Sequence, residues 1–464
     1  MRVRNTGRAR QLIGALVGVA LIAVPTAALA GTGSPLTTAT ARTGDEISPL
    51  ADFFGRQTLA PGDGWASEGA GTTGGSAALP ENTYVVHNRA ELIQALGGNN
   101  STNGTSTIPR LIYISGTIEG NVDDNNQPLT CEQMADPGYT LEAFLATYDP
   151  AVWGRVNPSG PLEQARARSA ANQSARTRIN LGSNITIIGL HNATLHGVFL
   201  RMDGQTNIII RNIEHQDTYD CFPVWAPTDG EFGNWNSAYD NIWVRNSNHV
   251  WIDHNTFTDA NNPDSSQPIY FGRPFQVHDG QTDITNGSNF VTVSYNVYKQ
   301  HDKTMLIGST NTPGADVDRL KVTIHHNEFD GIIQRAPRVR FGQVDVYNNL
   351  YRIPVSDPFE YSLGVGVQSA LYAENNYFVL GAGVTADSVL FDWGGTVITE
   401  KGSIVRAGSA RPQAVSLLSA YNAAHDPDFG ADAGWTPTLR TQVLPTFFVP
   451  LVVELLAGAD LVPL

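Results

Sequence analysis

Basic residues are scarce in this 464-residue chain: 29 Lys and Arg stand against 44 Asp and Glu, a formal charge of −15. That balance argues against a nucleic-acid partner, whose phosphates are met by dense Lys and Arg. Cysteine is nearly absent, with Cys131 and Cys221 the only two. They make neither a C-x-x-C pair nor a Cys/His zinc spacing, so a structural zinc site is not expected. Whether they form a disulfide or serve as two small buried apolar side chains stays open from sequence. No EF-hand loop pattern occurs. Long hydrophobic runs are missing too. Leu12 to Val24 is too short for a comfortable membrane span, and the tail from Phe447 to Leu456 is broken by Pro450 and carries Glu454.

The short apolar run has a different meaning. Arg2, Arg4, Arg8 and Arg10 precede it, and Ala28-Leu29-Ala30 follows as an A-x-A cleavage signal. This is the pattern of a secretory signal peptide over residues 1–30, and the expected product is secreted. Residues 31–63, rich in Gly, Thr, Ser and Ala, are expected to be a flexible leader. One domain is expected over residues 64–464, with the part from about 403 packing as a cap.

Tyr84-Val85-Val86 reads as a strand and Arg89 to Leu96 as a short helix. From Leu111 onward short β-branched runs recur, at Leu111–Ile114, Ile185–Ile188, Ile208–Ile210 and Ile242–Val244. Tyr139 to Ala171 interrupts them with apolar positions at Leu141, Phe144, Leu145 and Tyr148, and reads as a loop with helical pieces. A sharper repeat lies inside the pattern. A β-run ends in Asn, and an aromatic follows two residues later, at Asn255/Phe257, Asn296/Tyr298, Asn327/Phe329, Asn349/Tyr351 and Asn376/Phe378. No long amphipathic helix separates the runs, which excludes βαβ units. Regular hairpin turn pairs, the signature of a β-sandwich, are absent as well. Unequal coil-length spacing points to an all-β parallel β-helix, whose coils bury their apolar faces only by stacking. The repeated Asn and aromatic residues are then scaffold.

The charged residues that break the acidic background fall at the edges of these repeats. Asp240 precedes Ile242-Trp243-Val244. Asp279 and Asp283 bracket Gly280-Gln281-Thr282. Lys303 follows His301-Asp302, and Arg335-Ala336-Pro337-Arg338-Val339-Arg340 places three arginines within six residues. Carboxylates on neighbouring coils can converge, and three oxygen donors suit Ca²⁺. Arginine forks match carboxylates. A solenoid sets such positions along one flank, where a polymer can lie.

Together, Val250-Trp251-Ile252-Asp253-His254-Asn255, Asp279-Gly280-Gln281-Thr282-Asp283, the R-x-P-x-x-R pattern at Arg335, Pro337 and Arg340, and Gly233-Asn234-Trp235-Asn236-Ser237 resemble the extracellular pectate lyases of polysaccharide lyase family 1. The resemblance runs from about Gly64 to Leu380. It implies a right-handed parallel β-helix that cleaves polygalacturonate by Ca²⁺-assisted β-elimination. It further implies Asp240, Asp279 and Asp283 as calcium ligands, Arg335 as the base that takes the C5 proton, and Lys303 and Arg340 as binders of substrate carboxylates. His254 falls at a motif position more structural than catalytic. Relatives often carry Trp-Asp where this chain has Trp225-Ala226, a position given no ligand role here.

A guanidinium is a poor base, with a pKa above about 12. Burial beside Ca²⁺ and Lys303 is expected to lower it, so activity should rise toward alkaline pH. A pectin lyase on the same fold would act on neutral esters and need neither the aspartates nor Lys303. A polygalacturonase would need paired acid and base carboxylates. A non-catalytic carbohydrate-binding β-helix would use the arginines only to grip. A monomer acting on pectate, with no membrane partner, is the expectation.

Overall fold

The computed structural model describes residues 47–355, 357–440 and 442–460. The expected signal peptide over residues 1–30, and the expected leader up to residue 46, lie outside the described residues. Three parallel sheets run the length of the molecule as a right-handed β-helix. The first sheet has ten strands among the described residues, from Thr83–Val86 to Ile398–Lys401; the second has ten, from Thr117–Glu119 to Gln413–Ala414; the third has eight, from Arg178–Leu181 to Leu390–Trp393. One coil shows the plan. Asn248–Asp253 lies in the first sheet, Thr256–Thr258 in the second, and Thr282–Thr285 in the third after a long loop.

The β-branched runs form these strands because alternate side chains must fill a narrow interior. Ile187, Ile210, Ile252, Val293, Ile324 and Val346 stack in register through six coils, all fully buried. Each contributes roughly 2 kcal/mol by leaving water.

The asparagine repeat is the corner between the first and second sheets. The residue before each Asn turns the chain with a positive φ, at His254, Tyr295, His326, Asn348 and Asn375. Each Asn then passes an amide hydrogen bond to the next coil: Asn255 to Asn296 at 3.1 Å, Asn296 to Asn327 at 3.0 Å, Asn327 to Asn349 at 3.0 Å and Asn349 to Asn376 at 3.1 Å. Two residues on, the rings of Phe257, Tyr298, Phe329, Tyr351 and Phe378 stack with centroids 4.5 to 5.1 Å apart. His215 extends the stack, 4.7 Å from Phe257. His254 stacks on Tyr295 and pairs with Asp253, a structural setting.

Residues 47–63, expected to be part of a flexible leader, are instead packed on the first sheet. Pro49–Gly55 is a helix capped by Ser48, and Leu59 is buried. The segment continues across outward-facing threonines, with Trp65 N–H donating to Thr323 Oγ1, Ala66 N–H to Thr292 Oγ1 and Gly75 N–H to Thr186 Oγ1. Small residues let the backbone come this close: a Cβ on Gly75 would overlap the Arg110 carbonyl. Low side-chain bulk here means close approach, where composition suggested mobility.

Beyond residue 403 the chain does two things. Leu417–Ala424 closes the end of the core with Leu417, Leu418 and Tyr421. The apolar tail folds back as the helix Val449–Leu456, whose Val449 and Val453 cover Leu350 and Tyr377 on the outside of the second sheet. No helix among the described residues is long and apolar enough to cross a membrane. The interruption near residue 140 holds helices Leu141–Thr147, Pro150–Trp153 and Pro161–Thr177, packed through Phe144 and Tyr148 on Trp225 and Trp235. Cys131 and Cys221 are bridged, Cα atoms 5.5 Å apart, and tie this insert to the loop that leads toward Asp240.

Candidate active site

The long loops that return each coil to the third sheet bring the sequence-selected residues together. Backbone bonds from Asp279 N–H to the Tyr239 carbonyl and from Asn241 N–H to the Gly280 carbonyl zip two successive loops side by side. Asp240 therefore lies against Gly280, whose N–H donates to its Oδ1 at 2.8 Å. Asp283, on the third-sheet strand Thr282–Thr285, accepts from Leu306 N–H at 2.9 Å. Gly280 is required between them: a Cβ there would overlap the Asp283 carboxylate and reach Asp240 Oδ1 at 2.9 Å. Asp279 completes the group, with Lys303 Nζ 3.9 Å from its Oδ1.

The three carboxylates repel one another. Burial, then Asp283 and Asp279, hold the Asp240 carboxyl well above the usual carboxylate range. Burial and Asp279 push Asp283 up to about 7. Among the described residues no three His, Cys, Asp or Glu side chains close into a ready-made metal cage. The aspartates form an open edge instead. Hard oxygen donors, a glycine-cleared gap and excess negative charge fit Ca²⁺, which accepts water and further oxygens in its shell.

Lys303 is only 8% exposed and sits in a parallel bridge with Gln334, next to Arg335. Arg335 itself has φ +60°, a conformation rare outside glycine and concentrated at functional sites. It is fixed by Met305 N–H donating to its carbonyl at 2.7 Å and by Ala336 N–H donating to Ser362. Beneath it, the Tyr351 hydroxyl, part of the aromatic stack, donates to the Ala336 carbonyl at 3.0 Å. The buried Nε of Arg335 has no hydrogen-bond partner among the described residues. Structural ion pairing therefore does not consume this guanidinium.

Burial lowers the Arg335 pKa, and the charges of Asp279 and Asp283, which a bound cation would neutralise, raise it above the ordinary arginine value. Arg340 is tied to the preceding coil, Nε to Asn311 Oδ1 at 2.6 Å and Nη1 to the Gly308 carbonyl at 2.7 Å. Burial and Arg335 lower its pKa.

Sequence reasoning missed two neighbours. Arg338 opens the two-residue strand Arg338–Val339, two positions before Arg340, and the alternation within the arginine cluster could have marked it. His301 sits between Asp259, 2.8 Å from its Nδ1, and the Asp279 carbonyl, 2.6 Å from its Nε2. It holds the backbone of the acidic loop, and no spacing rule marks it.

A family model described as pectate lyase matches residues 156–426. A pectate lyase of Bacillus subtilis (strain 168) is 45% identical over 394 residues, 84% of this chain and 90% of that protein. Pectate lyase E of Dickeya chrysanthemi is 32% identical over 383 residues, 79% of this chain and 81% of its own length. Among solved structures, a thermostable pectate lyase superposes with a TM-score of 0.85 at 46% identity, covering 87% of this chain and 98% of the other. A pectate lyase bound to a hexasaccharide gives 0.81 at 44% identity, with the same coverage. With its three-sheet solenoid and its convergent aspartates and arginines, the chain belongs to the pectate lyase family.

Proposed function

We propose that the protein is secreted as a monomer and cleaves the α-1,4 linkages of polygalacturonate by β-elimination, with Arg335 abstracting the C5 proton. The observation that carries this reading is the buried, unpartnered Nε of Arg335 facing the field of Asp279 and Asp283. Asp240, Asp279 and Asp283 are the residues that would hold Ca²⁺, which when bound supplies Lewis-acid withdrawal of charge from the carboxylate beside C5. Lys303 and Arg340 fix the substrate carboxylates and so hold the sugar in an attack-ready position.

Arg335 takes the proton from C5. The electron pair of that C–H bond becomes the C4–C5 double bond, the C4–O bond breaks, and the departing oxygen collects a proton. The products are a shortened chain and an unsaturated oligogalacturonide. Arg335 is held protonated here by the two aspartates. Its proton becomes easier to lose once their charge is neutralised.

The test is ultraviolet absorbance of polygalacturonate incubated with the protein, with calcium and with a chelator. An unsaturated-uronate band that grows only with calcium is expected. Growth in both would remove the calcium site from the mechanism. New reducing ends without the band would mean hydrolysis, and no change would leave a binding solenoid.

A further inference from the structure

Three successive loops run from the second sheet to the third, and each brings one part of the site. Residues 259–281 carry Asp279, residues 300–305 carry Lys303 and residues 331–337 carry Arg335. In the elimination only Lys303 of the middle loop has a role, yet the two residues before it touch both neighbouring loops. At the sheet the loops are joined by backbone bonds. Thr282 N–H donates to the Thr304 carbonyl at 3.0 Å, and Met305 N–H to the Arg335 carbonyl at 2.7 Å. Toward Gln276 and Asp279 the links from the middle loop are made by side chains.

Asp302 accepts from Gln276 Nε2 at 2.7 Å through Oδ2 and from Gln334 Nε2 at 3.0 Å through Oδ1. One carboxylate thus joins the loop of Asp279 to the residue next to Arg335. Its own carbonyl accepts from Gln334 N–H at 2.9 Å, which fixes its place on the Arg335 side. Asp302 is near enough to Arg335 for its charge to be felt there, but neutral amides hold both of its oxygens. The loops are tied while the guanidinium stays free. Hydrogen bonds to an ionised group are roughly twice as strong as neutral ones, so a carboxylate between two amides is a firm link. His301 does the same for Asp279 itself. Its ring is 3% exposed, with Nδ1 2.8 Å from Asp259 Oδ2 and Nε2 2.6 Å from the Asp279 carbonyl oxygen. The His301 carbonyl accepts from Ile333 N–H at 3.0 Å, again on the Arg335 side.

We propose that His301 and Asp302 are positioning residues that set the spacing between the metal-binding edge and the base. His301 fixes Asp279, and Asp302 clamps the Asp279 loop to the Arg335 loop. The inference rests on the pectate-lyase reading given above. That reaction requires the carboxylate beside C5 to lie at the aspartates while the C5 proton of the same sugar lies at Arg335. The two groups come from loops on either side of a third, and an error of about 1 Å in such a separation costs on the order of 100-fold in rate. Neither side chain takes part in the proton transfer.

The experiment separates turnover from calcium affinity. Asp302→Ala removes both amide links and should lower kcat at saturating calcium by about tenfold, with KM and the calorimetric calcium Kd changed less than about threefold. Asp302→Asn keeps both links once one glutamine amide turns over, and should recover most of the loss. His301→Ala should instead weaken calcium binding by about tenfold, measured by calorimetry without substrate. Gln276→Ala cuts the same bridge from its far side and should reproduce the fall in kcat, a second route if Asp302→Ala does not fold. Asp302→Asn as slow as Asp302→Ala would mean that Asp302 acts through its charge, and overturns the clamp. An unchanged kcat in Asp302→Ala, or an unchanged calcium Kd in His301→Ala, overturns it too. Hydrogen exchange separates the clamp from the lyase reading. In Asp302→Ala the amides of residues 276–281 and 333–336 should exchange faster whether or not the wild type forms unsaturated product, and unchanged exchange there removes the clamp alone.

Discussion

At the scale of single residues, the site depends on one guanidinium kept out of structural ion pairs. Arg335→Lys preserves the charge and removes the fork, and is expected to lower kcat by about 10²- to 10⁴-fold, the usual contribution of a positioned base, with KM little changed. Because Asp279 and Asp283 hold Arg335 protonated, its neutral form is rare near neutral pH. The kcat of the wild type should therefore climb with pH, with a logarithmic slope approaching one. A flat profile between neutral and alkaline pH would exclude Arg335 as the base. Much of this was legible in the chain, because Asp-Gly-x-x-Asp and R-x-P-x-x-R keep their residues adjacent in sequence. The pull of Asp279 and Asp283 on Arg335 was not legible, because it depends on which carboxylates the fold brings near, and Asp283 lies on a different coil.

At the scale of elements, the repeat of Asn and aromatic carried the fold. Each repeat is a corner, with a positive-φ residue turning the chain and an Asn closing the corner onto its neighbour. Asn327, in mid-ladder, accepts from Asn296 N–H and Nδ2 and donates through Nδ2 to the Val293, His325 and Asn349 oxygens. Asn327→Ala should cost about 3 kcal/mol, since buried partners on both sides lose their bonds. Asn376, the last of the row, donates only to the Val346 carbonyl, and its replacement by Ala should cost less. Urea midpoints of the two variants decide the matter, and equal losses would mean that the ladder is not cooperative along the axis. The elements that escaped the reading lack periodicity. Residues 47–75 bond to the first sheet mainly through backbone N–H groups, and a contact made by the backbone leaves no apolar pattern in the sequence. His215 joins the aromatic stack with Ile213 two residues before it, where the other members have Asn.

At the scale of the whole molecule, an acidic chain concentrates both its unpaired cations and its crowded carboxylates on one flank, and this couples stability to pH. Stability falls with pH wherever the folded chain holds more protons than the unfolded one. Asp283 sits at about 7 when folded, against an ordinary 3.8, so it lowers stability as pH rises through that window. His196, raised to about 10 by hydrogen bonds to Asp217 and Glu119, and His278, raised to about 10 by Asp217 and Asp264 against the opposing effect of burial, stabilise fully below about 6.5. Their contribution is lost as pH climbs toward 10. Asp217 acts only at the acid end: despite burial, its histidine partners lower it to about 2, and its stabilisation is lost as pH falls from 3.8 to that value. The chelated protein should therefore melt at a lower temperature at about pH 8 than at about pH 5. Added calcium should raise the melting temperature more at the higher pH, where Asp283 is ionised and a bound cation stabilises only the folded chain. A calcium-induced rise as large at about pH 5 would mean that the ion binds somewhere other than at this buried carboxylate.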